Sequence, residues 1–257
     1  MPSNSPQRNP GHGEENIPPR IFVLACDVLQ EEIETISDSL RHVVRWEFLP
    51  MGLHDRPRQM RMELQAWIEV AEADPRVEAI VLIYGLCGHG TAGLTTKRVP
   101  LILPRAHDCI TLFIGSAKRY QDYFAEHPDA YFYTPGWMRE NRTPGPEREK
   151  ALRKQLEERY DDPETIEMLM EAEASCWQGN HHATYVDFGL PQHHALPDRA
   201  KSCADRMGWS FEKIHGDPTL LHDTLGGNWK DDTHLIIQPG QSIQPSYDDR
   251  IVCAKQR

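Results

Sequence analysis

The chain has 257 residues, and 39 acidic against 28 basic side chains give it a formal net charge of −11. This charge argues against nucleic acid as a partner, because phosphate binding needs a basic surface. No apolar run approaches the roughly 18–20 residues of a membrane span, so we expect no membrane partner either. A hydrophobic content of 39% is enough to build a folded core.

Cysteine usage and the opening residues indicate the compartment. Six cysteines are too few for a disulfide scaffold in a chain of this length. The first residues are polar and rich in proline, and they lack the apolar stretch typical of a signal peptide. We therefore expect a cytoplasmic protein whose thiols are reduced and free for metal binding or catalysis.

The predicted elements alternate between strand and helix along the chain. Residues 1–20 predict a disordered tail, because they offer almost nothing to bury. The elements that follow are, in order, strand 21–26, helix 29–41, strand 42–49, helix 58–71, strand 78–84, strand 100–104, helix 110–124, strand 130–134, a charged helical hairpin 147–174 broken at Asp162-Pro163, strand 183–188, helix 199–207, strand 209–214, helix 220–225 and strand 234–238.

This alternation predicts an α/β fold with a mainly parallel, Rossmann-like sheet and helices on both faces. We expect an N-terminal α/β lobe over residues 21–140, which carries the functional site. A charged helical insertion over 141–180 follows, and a second α/β part covers 181–257. In parallel sheets, ligands bind outside the carboxyl ends of the strands, so residues at those ends are the first candidates.

Three cysteines occupy such positions. Cys26 ends the first strand, Cys87 follows the third, and Cys109 follows the fourth at a predicted helix start. A helix N-terminus lowers the pKa of a thiol, which makes Cys109 the best candidate for a reactive or metal-bound sulfur. Sulfur ligands favour zinc or an iron–sulfur cluster over calcium or magnesium. The alternative is that these cysteines are small core residues, because free cysteine is commonly buried.

Polar residues beside Cys109 are the candidate catalytic groups. Asp108 is the expected N-cap of the helix, and His107 is either a fourth metal ligand or a general base. Arg105 is the candidate anchor for an anionic group of a small-molecule substrate, or else forms a surface salt bridge. Cys176 is either a further metal ligand that folds over the site or a core thiol, whereas Cys203 and Cys253 are expected to be structural.

The glycine-rich segment after the third strand is a candidate cofactor-binding loop. Gly85, Gly88 and Gly90 would let the backbone approach a ligand closely, or they simply form a tight turn. The segment matches neither the dinucleotide-binding fingerprint nor a phosphate-binding P-loop. Trp137 follows the fifth strand and is expected either to wall the pocket or to pack in the core.

The remaining histidines and carboxylates are mainly expected to be structural. The doublets His181-His182 and His193-His194 are expected to be solvated loop residues, with adventitious metal binding as the alternative. Glu31 and Glu32 are expected to begin a helix, where negative charge suits the helix dipole, and the alternative is that one of them points into the site as an acid or base.

Several segments resemble domain-of-unknown-function family 1638, over about residues 20–250. The most specific are Tyr84–Gly90 (YGLCGHG) and Pro104–Ile110 (PRAHDCI). His89 departs from the family pattern, which has asparagine there. Further matching positions are Ala25-Cys26, Glu32, Gly115-Ser116, Tyr120, Gly136-Trp137, Gly216-Asp217, Leu220-Leu221, Gly227, Trp229 and Pro239-Gly240.

The resemblance implies an association with corrinoid-dependent methyl transfer and one-carbon metabolism. Any corrinoid would come through a partner, either a corrinoid protein or a methyltransferase. The family's signature polar positions correspond to Cys26, Cys87, His107, Asp108 and Cys109 of this chain.

Three functions remain open from the sequence. The first is a metal-dependent enzyme or accessory protein with zinc or an iron–sulfur cluster on Cys26, Cys87 and Cys109. The second is a non-catalytic metal or corrinoid carrier or chaperone that uses the same thiols. The third is a metal-free enzyme in which Cys109 is the nucleophile and His107 its base.

Overall fold

A computed structural model describes residues 18–37 and 39–256. The predicted tail lies mostly outside the described residues, so its disorder stays a prediction. The strands of the described part are β1 Ile21–Cys26, β2 Val43–Leu49, β3 Ala79–Ile83, β4 Leu101–Pro104, β5 Ala130–Tyr133, β6 His182–Asp187, β7 Ser210–His215, β8 His234–Ile237, β9 Gln241–Pro245 and β10 Val252–Gln256. The α-helices are α1 Gln30–Ser37, α2 Pro57–Ala73, α3 Cys109–Ile114, α4 Ala117–Glu126, α5 Pro135–Arg139, α6 Pro146–Glu157, α7 Pro163–Ser175, α8 Leu196–Met207 and α9 Thr219–Gly226.

The larger sheet has five strands in the order β2-β1-β3-β4-β8. The first four are parallel, and β8 runs antiparallel to β4. Every residue of β1 and β3 is buried, which explains why both read as continuous apolar runs without alternation. The predicted α/β class, with a mostly parallel sheet flanked by helices, is confirmed. None of the helices in the described ranges is long and apolar enough to span a bilayer.

A second, smaller sheet contains β5, β6 and β7 in that order, all parallel. Strand pairing in both of these sheets crosses the domain boundaries expected from the sequence. β5 falls in the predicted N-terminal lobe yet pairs with β6, and β8 falls in the predicted C-terminal part yet pairs with β4. Hydrogen bonding therefore joins the two halves of the chain, while their division into domains stays a prediction.

Two predicted helices have different bounds in the structure. The segment 110–124 is two helices, because Gly115 adopts a φ of +92° and Ser116 then caps α4. A Cβ at Gly115 would lie 2.6 Å from Asp217, so only glycine fits this break. The predicted helix 29–41 is a 3₁₀ turn followed by α1, which ends at Ser37. The charged hairpin is confirmed as α6 and α7, with Asp162 capping the second helix.

The short helix α5 was not predicted, and it positions one wall of the functional site. Thr134 caps it by accepting from the backbone N–H of Trp137. Gly136 lies against the turn that follows β1, where an added Cβ would meet the carbonyl oxygen of Val28. This close approach brings Trp137 next to the end of the larger sheet.

Candidate functional site

A pocket of about 380 Å³ lies at the carboxyl end of the larger sheet, where the second sheet's edge strand β5 closes it. The strand order β2-β1-β3-β4 means that the strands after β1 are added first on one side of it and then on the other. The switch point lies between β1 and β3, and ligands of such sheets bind there. The volume is at the lower end of the roughly 300–1,000 Å³ of small-molecule sites. The lining residues are His54, Cys87, Gly88, Asp108, Cys109, Ile110, Tyr120, Phe124, Ala130, Tyr131, Phe132 and Trp137.

The three candidate cysteines lie at this end of the sheet. Cys87 and Cys109 line the pocket. Cys26 is buried directly beside it, with its Sγ 3.4 Å from Nε2 of His54, which is itself a lining residue. The strand positions predicted this neighbourhood, whereas the role of the thiols as metal ligands stays a prediction.

His54 was missed by the sequence analysis, although a signal for it exists. It lies in a 3₁₀ turn a few residues after β2, and β2 is the parallel neighbour of β1. The rule that located the cysteines therefore applies to it too. Burial lowers the pKa of His54, so its imidazole is neutral near neutral pH and offers a lone pair.

The ionisation of the thiols differs from the expectation. Burial raises the pKa of Cys26, Cys87 and Cys109 well above the usual range. The indole N–H of Trp137 donates to Cys109 Sγ at 3.3 Å and favours the thiolate, but desolvation outweighs it. The prediction of a lowered pKa for Cys109 at its helix N-terminus is thus wrong. The dipole of the six-residue helix α3 stabilises the thiolate less than burial destabilises it.

The thiols are also more widely spaced than a single zinc ion would hold them. Zinc–sulfur bonds of about 2.3 Å place the sulfurs of a tetrahedral site about 3.8 Å apart. Within the described ranges, one group of three His, Cys, Asp or Glu residues has its ligand atoms all within 4.8 Å of one another. That group is His127, His182 and Glu212, and it contains none of the cysteines. A metal at the cysteines would therefore have to draw the side chains together.

Asp108 and Tyr120 form a pair of oxygen-bearing side chains in the pocket. Asp108 caps α3 as predicted, accepting from the backbone N–H of Ile110 at 3.0 Å. Its second oxygen lies 3.5 Å from the hydroxyl of Tyr120, which donates toward it. Burial raises the pKa of both groups, so the pair holds protons more readily than it would in water.

Aromatic rings form much of the pocket wall. Tyr120 and Phe124 come from α4, with ring centroids 5.6 Å apart, and Phe132 of β5 lies 6.0 Å from Tyr120. Tyr131 and Trp137 complete the wall, so Trp137 lines the pocket, the first of its two expected positions, and it also packs against the core. The other rings were missed because their convergence depends on the pairing of β5 with the distant β6.

The glycine-rich loop serves mainly to pack the chain. A Cβ on Gly85 would lie 2.6 Å from the backbone nitrogen of Asp108, and one on Gly90 would lie 2.8 Å from the sulfur of Met60. The backbone N–H of Cys87 is already bonded to the carbonyl of His107 at 2.9 Å. Of the three candidate glycines only Gly88 lines the pocket, so the loop does not form a cradle of free amides.

Cys87 itself has an unusual backbone conformation. Its φ of +47° lies in the left-handed region, between the ordinary strand β3 and Gly88 at +60°. A non-glycine residue pays roughly 1–3 kcal/mol for such strain, and it persists only where the surroundings impose it. Here the strained residue carries a thiol that faces the pocket.

Besides Cys26, Gly85 and Gly90, three candidate residues do not line the pocket. The guanidinium of Arg105 is buried, donates to the carbonyls of Asp231, Arg250 and Val252 and forms a salt bridge with the carboxylate of Asp231, so it binds the C-terminal segment and does not line the pocket. His107 is exposed and is not among the lining residues.

Cys176 is the third of these residues. It is exposed at the end of α7, and its thiol contacts the carbonyl of Ala172. Because α7 ends outside the pocket, Cys176 does not reach the other thiols. Cys203 is buried against α8's core neighbours, in agreement with a structural role.

The expectation of solvated histidine doublets is half wrong. His181 and His194 are exposed. His182 begins β6 with its side chain only 12% exposed, and it contacts Tyr123 and Ser210. His193 is 6% exposed, with Nε2 2.6 Å from a carboxylate oxygen of Glu31. The sequence could not reveal these burials, because distant elements cover both residues.

Comparison with known proteins identifies the family and no activity. A family model described as "Protein of unknown function (DUF1638)" matches residues 48–225, which is more than half of the chain. The chain therefore belongs to the DUF1638 family, and the resemblance noted in its sequence is confirmed. The matched range includes His54, Cys87 and Cys109 and leaves out Cys26. No curated protein and no solved structure matches the chain.

Proposed function

We propose that this protein binds a metal through Cys26, Cys87, Cys109 and His54, and that the metal faces a small-molecule pocket. The observation that carries the proposal is the gathering of three buried thiols and a neutral imidazole from four separate elements at one pocket. Three sulfurs and one imidazole nitrogen form a common ligand set for zinc, and thiolates also hold iron–sulfur clusters.

The raised thiol pKa values are compatible with a metal and unfavourable for a free nucleophile. A metal displaces the thiol protons when it binds, so its affinity rises with pH. A cysteine nucleophile without metal needs thiolate near neutral pH, and burial disfavours thiolate at Cys109. His107, the base of that alternative, does not line the pocket. These features support the metal-bound alternatives over the metal-free enzyme.

The rest of the pocket supplies groups for binding and proton transfer. In this proposal the aromatic wall excludes water and packs against an apolar part of the ligand. Asp108 and Tyr120 hold protons near the metal, the role expected earlier of His107 as a general base. The metal would supply Lewis acidity, or electron transfer in the case of an iron–sulfur cluster.

The association with corrinoid-dependent methyl transfer and one-carbon metabolism also belongs to the proposal. Its support is the sequence resemblance alone. A pocket of about 380 Å³ suits a small substrate, so a corrinoid would remain on a partner corrinoid protein or methyltransferase. The cytoplasmic location is part of the same proposal.

Elemental analysis and a UV–visible spectrum of untagged protein, purified without oxygen, test the metal centre. We expect zinc or iron in the wild-type protein and at least a tenfold lower content in Cys26→Ser, Cys87→Ser and Cys109→Ser. Cys176→Ser is the matched control, since its thiol lies outside the pocket. Wild-type protein that stays metal-free after reconstitution would refute the proposal, as would equal metal content in all four variants.

A second pair of variants separates an enzyme from a carrier. Asp108→Asn and Tyr120→Phe change the proton-holding groups and leave every proposed metal ligand in place. In an enzyme, we expect them to retain metal while turnover falls about 10²–10⁴-fold. In a carrier or chaperone, metal transfer to an acceptor would proceed at the wild-type rate in both variants.

A further inference from the structure

We propose a second metal site, for a divalent transition ion, at His127, His182 and Glu212. The three residues come from the C-terminal end of α4, the start of β6 and the middle of β7. Their ligand atoms all lie within 4.8 Å of one another. None of them lines the thiol-bearing pocket, so this site is separate from the proposed metal centre.

Hydrogen bonds hold His182 in the orientation that a metal ligand requires. Its Nδ1 lies 2.7 Å from the hydroxyl of Ser210, and that hydroxyl donates to the carbonyl of His181. Since the hydroxyl proton is committed there, Ser210 accepts from Nδ1–H. The neutral ring then carries its lone pair on Nε2, which faces the carboxylate of Glu212 at 3.7 Å. Such a partner on the remote ring nitrogen is typical of metal-binding histidines.

The hydroxyl of Tyr123 can donate to only one of two acceptors in the cluster, the carboxylate of Glu212 or Nε2 of His182. Its hydroxyl lies 2.9 Å from the carboxylate of Glu212, 3.2 Å from Nε2 of His182 and 2.7 Å from the hydroxyl of Thr184. A phenol has a single proton to donate, and it cannot serve the carboxylate and the imidazole together. A cation between them would satisfy both. The alternative is a proton on one histidine, which makes an ion pair with Glu212.

The geometry is close to that of a bound ion. The Nε2 atoms of His182 and His127 lie 3.7 and 4.0 Å from Oε2 of Glu212. Ligands at about 2.0–2.1 Å from a tetrahedral ion stand about 3.4 Å apart, so a shift below about 1 Å suffices. Glu212 can provide it, because its side chain is 45% exposed. The two imidazoles are stacked, with centroids 4.3 Å apart.

The donor set defines the class of ion. Two imidazole nitrogens and one carboxylate oxygen suit zinc, cobalt, nickel or copper and not calcium or magnesium. His127 caps the C-terminal end of α4, where the helix dipole favours a cation. Three protein ligands leave room for water or a further ligand at the ion.

An ion at this site would join one wall of the pocket to the second sheet. It would bind the end of α4 to β6 and β7, and α4 carries Tyr120 and Phe124 of the aromatic wall. The ring of Tyr123 also contacts Phe132, with centroids 5.6 Å apart. Occupancy would therefore stabilise the helix against the second sheet without any contact to the thiols.

Titration of untagged wild-type protein with Co²⁺ tests the site. Cobalt on thiolates gives a sulfur-to-metal charge-transfer band, whereas cobalt on imidazole and carboxylate does not. We expect one equivalent that binds without this band and raises the melting temperature. His182→Ala and Glu212→Gln should lose that equivalent, and Ser210→Ala should weaken it about 10–100-fold. The exposed His194 gives the control, since His194→Ala should bind as the wild type does.

Binding of Co²⁺ without a charge-transfer band reports on this site and not on the thiols. Glu212 is exposed, so Glu212→Gln tests binding even where His182→Ala unfolds. Wild-type protein without a band-free Co²⁺ equivalent would overturn the proposal. Unchanged binding in folded Glu212→Gln and His182→Ala would overturn it too, and so would an equal loss in His194→Ala. The presence or absence of the charge-transfer band reports separately on the cysteines.

Discussion

Glu32 is a carboxyl group enclosed by the protein, with 2% of its surface exposed and Oε1 lacking a hydrogen-bond partner. Burial raises its pKa to about 7. Between its ordinary value and 7, the folded state holds a proton that the unfolded chain releases. The stability that this proton contributes is therefore complete below the unfolded pKa and is lost as the pH rises through 7.

Glu32→Gln should remove this pH dependence. Between pH 5 and 8, the free energy of unfolding should fall more in the wild type than in the variant. We expect the difference between the two decreases to reach up to about 3 kcal/mol. Urea denaturation at both pH values measures the difference. Glu34→Gln, an exposed position on the same helix, should follow the wild type. A variant as pH-sensitive as the wild type would mean that the Glu32 carboxyl is solvated.

His234 gives the opposite dependence at acidic pH. It is fully buried between the hydroxyls of Thr224 and Thr233, at 2.8 and 2.9 Å, and burial lowers its pKa to about 4. The unfolded chain takes up a proton near pH 6.5 and the folded protein does not, so stability decreases as the pH falls from 6.5 to 4. His234→Asn should unfold more easily at pH 7 yet lose less stability on acidification. His222→Asn, on the exposed face of α9, should retain the wild-type slope in the same urea titrations.

At the scale of elements, α5 depends on the missing side chain of Gly136. A Cβ in Gly136→Ala would lie 2.1 Å from the carbonyl oxygen of Val28, so α5 must move away from the turn after β1. We expect a loss of about 1–3 kcal/mol in unfolding free energy and a lower metal content, since Trp137 would leave Cys109. Gly179→Ala is the control, because a Cβ there has no neighbour within 4 Å. Equal stabilities of the two variants would contradict this account of α5.

The elements also show how far a local pattern extends. The alternation of strands and helices, the cap at Asp108 and the break at Asp162 depend on neighbouring residues, and the structure confirms them. The end of α3 at Gly115 was missed because Asp217, about a hundred residues away, imposes it. The aromatic wall was missed for the same reason, since β5 reaches the pocket by pairing with β6.

At the scale of the whole molecule, the pocket lies where the five-stranded sheet meets the sheet of β5, β6 and β7. A ligand that binds the folded state alone stabilises it by RT ln(1 + [L]/Kd), about 4 kcal/mol at a thousandfold excess over Kd. Removal of metal by a strong chelator should therefore lower the melting temperature of the wild type, with both sheets losing protection in hydrogen exchange. Cys109→Ser should show a smaller decrease. An unchanged wild-type melting temperature after proven metal removal would place the metal outside the folded core.

The sequence by itself determined the fold class, the buried strands β1 and β3, and the positions of Cys26, Cys87 and Cys109 at one edge of a sheet. These features follow from apolar runs and strand ends, which are local properties. Only the tertiary structure decided that Arg105 binds the C-terminal segment and does not line the pocket, that His54 approaches Cys26, and that burial raises the pKa of the three thiols. It also decided that His127, His182 and Glu212 meet. The direction of a side chain, its burial and its pKa depend on what distant segments place around it, and a linear pattern carries no record of those contacts.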